Sequence, residues 1–172
     1  MSALFYEIGS MLPEYDFQVL KLTQEFYNKY TNPPYVEIET KENRKYNCLL
    51  IQTHYDYFIC VPFRSRVKHK YAYHFTKSER SKRGKSALDY SKIVIINTTD
   101  YIDKEQGIVD SDEYTEMMQH KDKIVRDAVR YVEDYIAFKK QDLGCIAVQE
   151  YNRRYRFSTL PYFDDILIHS EK

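Results

Sequence analysis

Tyr57-Phe58-Ile59-Cys60-Val61-Pro62-Phe63-Arg64-Ser65-Arg66-Val67-Lys68-His69-Lys70-Tyr71 is the stretch from which the rest of the chain is read. Its first half is an apolar run rich in aromatic and β-branched residues, which predicts a strand. Its second half gathers a hydroxyl, an imidazole and four cations just where the strand gives out. Working backwards, Tyr46 to Gln52 is a second apolar run, joined to the first around Thr53-His54, and Lys41-Glu42-Asn43-Arg44 turns the chain ahead of it. Tyr35-Val36-Glu37-Ile38-Glu39 alternates as a half-buried strand would, after the firm break at Asn32-Pro33-Pro34. Phe17 to Thr23 alternates with one slip of phase, and Ala3 to Leu12 reads as a short amphipathic helix closed by Pro13. Together these predict an antiparallel meander.

Forwards from the same stretch, Ile93-Val94-Ile95-Ile96 is continuously β-branched and predicts a fully buried central strand. Asp110 or Asp112 caps a long helix near 112–141. Along it Tyr114, Met117, Met118, Lys121, Ile124, Val125, Ala128, Val132, Tyr135 and Ile136 recur near the helical period, and Gly144 supplies the stop. Lys121 interrupts that stripe. A shorter helix includes Ala147–Tyr151, ahead of the basic Arg153-Arg154-Tyr155-Arg156. A meander followed by helices predicts an α+β fold: a compact, strongly curved antiparallel sheet or barrel core with flanking helices. The 172 residues suit a single domain, 1–172.

Composition narrows the classes. Apolar residues make up 43% and charged residues 30%, the balance of a folded globular protein rather than a disordered chain. No apolar run approaches a membrane span and no leader pattern opens the chain, so a cytoplasmic protein with no membrane partner is expected. Cys48, Cys60 and Cys145 form no CxxC or Cys/His spacing, which fits buried thiols in a reducing compartment. The histidines are scattered, and there is no GxGxxG, GxxxxGK[ST] or GxSxG. Neither a metal, a nucleotide cofactor nor a serine-hydrolase elbow is expected.

Formal net charge is zero, but it is unevenly spread. Between Arg64 and Lys85 stand Arg64, Arg66, Lys68, Lys70, Lys77, Arg80, Lys82, Arg83 and Lys85, against the single acid Glu79, with Tyr71, Tyr73 and Phe75 interleaved. One concentrated basic strip with aromatic rings on a balanced protein fits a polyanion-binding face, and the part around Ser78–Ser86 reads as a mobile loop. There are 18 tyrosines and no tryptophan; most are read as packing, though tyrosine also stacks on bases. Ser65, His69 and the cations Arg64 and Lys70 are the groups that metal-free RNA cleavage requires. A hydroxyl orients the reacting atoms, imidazole is the side chain titrating nearest neutral pH, and cations hold the charge gathering on phosphorus. The local chemistry serves a non-catalytic RNA-binding regulator equally well.

Val61-Pro62-Phe63-Arg64-Ser65, then His69-Lys70-Tyr71-Ala72, then Leu88-Asp89-Tyr90-Ser91-Lys92 leading into Ile93–Ile96, resembles the toxins of type III toxin–antitoxin systems. Within that ToxN/AbiQ superfamily the chain is most similar to the CptN/TenpN-like branch. Glu25-Phe26-Tyr27, Pro34-Tyr35-Val36 and the ending Tyr155 to Leu160 with Tyr162-Phe163 belong to the same resemblance, which spans roughly Phe17 to Phe163. It implies a metal-independent endoribonuclease that leaves 2′,3′-cyclic phosphate and 5′-hydroxyl ends on cellular and phage RNA, within abortive infection. It also implies a pseudoknot RNA antitoxin, cut from a tandem-repeat transcript, that occupies the active-site groove and closes with the toxin into a cyclic protein–RNA assembly. Ser65 matches the family's active-site serine, and Arg64 stands where ToxN-like members have threonine. Those members carry a lysine ahead of the second strand; here the place reads Pro33-Pro34-Tyr35, so Arg64 or another lysine supplies that cation, or Tyr35 and the chemistry differ. Tyr35, Arg66, Lys68, Tyr71, Lys77, Arg80, Lys82, Arg83, Arg154, Arg156 and Ser158 are the expected RNA contacts.

Overall fold

The computed structural model describes residues 17–31, 33–38, 47–53 and 55–169. Among them the chain is mixed α+β, with six helices and a seven-stranded antiparallel sheet. The predicted meander is its centre: β1 (Phe17–Leu22), β2 (Asn47–Gln52) and β3 (Phe58–Arg64), with Val19 opposite Leu49 and Leu49 opposite Val61. β4 (Ala72–His74) and β5 (Ala87–Asp89) extend it on one side, and β7 (Ile102–Gln106) pairs with β1 on the other. The sheet stays open, in the order β4-β5-β3-β2-β1-β7, so the barrel alternative does not hold.

β6 (Val94–Ile96) shares the β5 edge of β3: Cys60 lies opposite Val94, and Phe63 opposite Leu88. A 3-10 turn at Tyr90–Lys92 separates the two partners because the Asp89 carboxylate accepts the Ser91 N–H at 3.0 Å, an Asx turn that lifts the chain out of the ladder. Pro62 stands at that interruption, a place where a central strand tolerates a residue without an N–H. β6 is buried, as its sequence predicts, but among the described residues it pairs only with β3. The C-terminal segment covers its other side, the Thr159 N–H donating to the Ser91 carbonyl at 3.1 Å and the Thr159 hydroxyl to that of Ile93.

Alternation along β3 sends Ile59, Val61 and Phe63 to one face and Cys60, Pro62 and Arg64 to the other. The predicted long helix covers the first face, but as two helices: α3 (Ser111–Gln119) and α4 (Lys121–Lys139), broken at His120. The break lets α3 turn its buried Glu113 and Glu116 toward the basic segment while α4 buries Ile124, Ala128, Tyr131, Val132 and Tyr135. Tyr114, counted in the apolar stripe, is exposed. Asp110 is the cap, accepting from the N–H groups of Asp112 and Glu113. Asp110→Ala should therefore cost about 1 kcal/mol, seen as a Tm lower by roughly 2–4 °C. α4 ends before Gly144; Gln141, at φ 55, makes the first left-handed reversal.

α1 (Gln24–Lys29) closes the other face, where Phe26 and Tyr30 pack with Tyr101 and Phe163. α2 (Glu79–Gly84) replaces the expected mobile loop: Ser78 caps it, accepting the Ser81 N–H at 2.8 Å, and Ser78 and Ser81 are buried. Tyr35–Ile38 is a turn rather than a strand, its Val36 and Ile38 N–H groups bonding back to the Pro34 and Tyr35 carbonyls. Val36 and Ile38, which a strand would place on one face, are exposed and buried respectively. α5 (Val148–Tyr155) packs on α4 through Tyr131, Tyr151 and Tyr155, and α6 (Asp164–Leu167) ties back through Tyr135, whose hydroxyl donates to Asp164 at 2.6 Å. Most of these tyrosines are packing residues. The expected N-terminal helix at Ala3–Leu12, residue Glu39, the Lys41–Arg44 turn and His54 lie outside the described residues.

Candidate functional site

Arg64 is the last residue of β3, opposite Ala87 of β5, and Asp89 follows two positions on, so both side chains stand on one face of the sheet. Arg64 Nη1 lies 2.8 Å from Asp89 Oδ2, and His69 Nε2 lies 3.2 Å from Asp89 Oδ1. Ser91 adds its hydroxyl at 2.7 Å and its N–H. Asp89 has no exposed side-chain surface. Burial pushes its carboxyl up, but the hydrogen bonds from His69 and Ser91 and the charge of the adjacent Arg64 hold it below the ordinary aspartate value. One buried carboxylate thus caps the turn and anchors both Arg64 and His69.

Ser65 follows on the exposed edge. Its Oγ accepts from Arg80 Nη2 at 2.9 Å and Nε at 3.2 Å, so the guanidinium fork fills the oxygen's lone pairs and leaves the O–H as a donor. Arg80 Nη1 is in turn 3.3 Å from Glu113 Oε2. Glu113 is fully buried and also accepts from the Ser78 hydroxyl at 3.1 Å and from that of Ser86. Glu116, one turn on, takes the Thr76 and Lys77 N–H groups and the Thr76 and Tyr73 hydroxyls. Burial pushes the Glu116 carboxyl up, but these bonds outweigh it and leave it lowered. Two buried acids of α3 therefore hold the basic segment onto the fold.

The Arg66 and Val67 N–H groups bond the carbonyls of Gly84 and Lys85, setting the two basic stretches side by side. Arg66, Lys68, Lys70, Lys77, Lys82 and Arg83 are exposed. Lys70 Nζ lies 5.5 Å from the Tyr71 ring, Lys77 reaches Gln119, and Lys82 pairs with Glu79. Tyr71 turns its hydroxyl into the protein, and Tyr35 is half-buried edge-on between Tyr30 and Tyr162. Arg156 is exposed beside Phe157. Two expected RNA contacts are structural: Arg154 is committed to Asp134 at 2.6 Å and Glu150 at 3.0 Å, and Ser158 is buried, its oxygen accepting the Leu160 N–H.

Both nitrogens of His69 are engaged. Nε2 faces Asp89 and Ser91, and Nδ1 accepts the Tyr71 N–H at 3.2 Å. In this geometry the ring positions the Arg64–Asp89 corner; moving a proton at a substrate would require it to leave one of those partners.

Asp89, Ser91, Lys92, Glu37 and Glu113 were not singled out by type and spacing. The Asp-x-Ser pattern after a strand carried the signal for the turn, but its link to Arg64 is a contact across 25 residues. Lys92 lines, with Arg64 and Thr159, a slot floored by Cys48, Pro62 and Val94. It pairs with Glu37 and donates to the Phe157 carbonyl at 2.6 Å. No protein-family model matches the chain, and no curated protein or solved structure matches it. No helix among the described residues is long and apolar enough to cross a membrane.

Proposed function

We propose that this chain is a cytoplasmic, metal-independent endoribonuclease, the toxin of a type III toxin–antitoxin pair. The observation that carries the reading is an exposed serine hydroxyl clamped as a donor by Arg80, next in sequence to an arginine seated on a buried carboxylate. In the reaction the substrate's 2′-oxygen gives its proton to solvent water and bonds to the adjacent phosphorus. The bond to the 5′-oxygen breaks, and that oxygen takes a proton from solvent water, giving 2′,3′-cyclic phosphate and 5′-hydroxyl ends. Ser65 donates its O–H to a non-bridging phosphate oxygen, and Arg64, Lys68 and Lys70 stabilise the added negative charge. Lys92, paired with Glu37 two residues beyond Tyr35, supplies the cation that the Pro33-Pro34-Tyr35 segment lacks. The inhibitory partner is a pseudoknot RNA lying on the same basic strip. Short tandem repeats directly upstream of the coding region are the genomic expectation.

The second reading, a non-catalytic RNA-binding regulator, is favoured by one observation: both ring nitrogens of His69 already have partners. Incubating the protein with RNA in the presence of a chelator separates the two. Cyclic-phosphate ends are expected. Intact RNA together with tight, salt-sensitive binding would leave only the regulator.

A further inference from the structure

Lys92 connects the slot beside Arg64 to a surface that no step above uses. The carbonyl accepting from its Nζ belongs to Phe157, a residue 59% exposed just beyond the end of α5. The Arg156 guanidinium carbon lies 5.0 Å from the centre of that ring. Tyr151, Asn152, Arg153, Arg156 and Phe157 line one open concavity with Tyr155, and no carboxylate is among its lining residues. Arg153 is largely exposed, with only a long 3.4 Å contact to Glu150. The concavity thus offers a largely exposed phenylalanine with the Arg156 guanidinium over one side of its ring, and the Phe157 carbonyl ties it to Lys92, which lines the neighbouring slot with Arg64.

We infer that Phe157, with Arg153 and Arg156, is a stacking platform for a nucleobase of single-stranded RNA, whose neighbouring phosphate points toward Lys92 and Arg64. A nucleobase has the planar π-face that an exposed phenyl ring accepts, and its phosphate has the charge that the arginines complement. An acidic peptide would use the arginines but leave the ring in water. The inference rests on the RNA-binding part of the proposed function and not on cleavage.

The test uses a short single-stranded oligonucleotide with 2′-O-methyl sugars, which cannot cleave, carrying 2-aminopurine at one position at a time. Wild-type protein should bind it and quench emission at one position. Phe157→Ala should weaken binding about 10- to 100-fold and lose that quench, while the salt dependence keeps its slope because no charge is removed. Phe157→Trp should restore both, and because the ring is exposed the thermal melts of all three proteins should coincide. Unchanged affinity and quenching in Phe157→Ala overturn the platform while leaving RNA binding intact. Folded wild-type protein that binds no oligonucleotide, or that binds only an acidic peptide, overturns the platform and the RNA reading together.

Discussion

Asp89→Ala is expected to lower the unfolding free energy by about 3–5 kcal/mol, measured by urea denaturation at neutral pH. The variant leaves Arg64 and the Ser91 hydroxyl and N–H inside the protein without their common acceptor, and it removes the cap of the turn between β5 and β6. The sign of the pH effect follows from the lowered carboxyl. A group held below its ordinary value contributes stability that is fully present above that value, near pH 4, and is lost as pH falls toward its folded value. Wild-type stability should therefore decline between about pH 5 and pH 2, and Asp89→Asn should decline less steeply. Glu116 titrates with the same sign and keeps the residual slope from reaching zero. A variant with wild-type stability and an unchanged acid limb would remove Asp89 from the centre of this site.

Ser65→Ala is expected to reduce the RNA cleavage rate by about 10²–10³, the effect of deleting one hydrogen-bond donor aimed at a developing charge. Ser65 is exposed and makes no core contact, so the variant should melt like the parent and bind RNA with similar affinity. Arg80→Lys keeps the charge but loses the fork that grips the Ser65 oxygen. It should lower kcat with little change in KM, the pattern of a residue that positions another. Cleavage by Ser65→Ala at the parent rate would show that the reaction is carried elsewhere, and an equal loss of affinity in Arg80→Lys would make Arg80 an RNA contact instead.

Several elements were legible because their signal is local. The meander, the buried β-branched run and the amphipathic stripe of α4 follow from side-chain periodicity, which depends only on near neighbours. The Tyr35–Glu39 alternation misled because an apolar–acidic pattern does not reveal whether a partner strand is present: Tyr35–Ile38 bonds back on itself as a turn, with Val36 out and Ile38 in. The break at His120 was invisible because it answers to two distant packing partners, the basic segment under α3 and the sheet under α4.

By itself the sequence determined the class of fold, the strand that ends in Arg64-Ser65, and the concentration of positive charge behind it. Only the tertiary structure decided which charges face a ligand and which are spent internally. Arg154 and Arg156 stand two residues apart, yet one is locked between Asp134 and Glu150 and the other lies open beside Phe157. The fold likewise converted Arg80 from a surface cation into the support of Ser65, and made Asp89 the seat of Arg64 and His69. The reason is physical: a charge in water is indifferent to its exact neighbours, whereas a buried carboxylate must gather its donors from wherever the chain brings them.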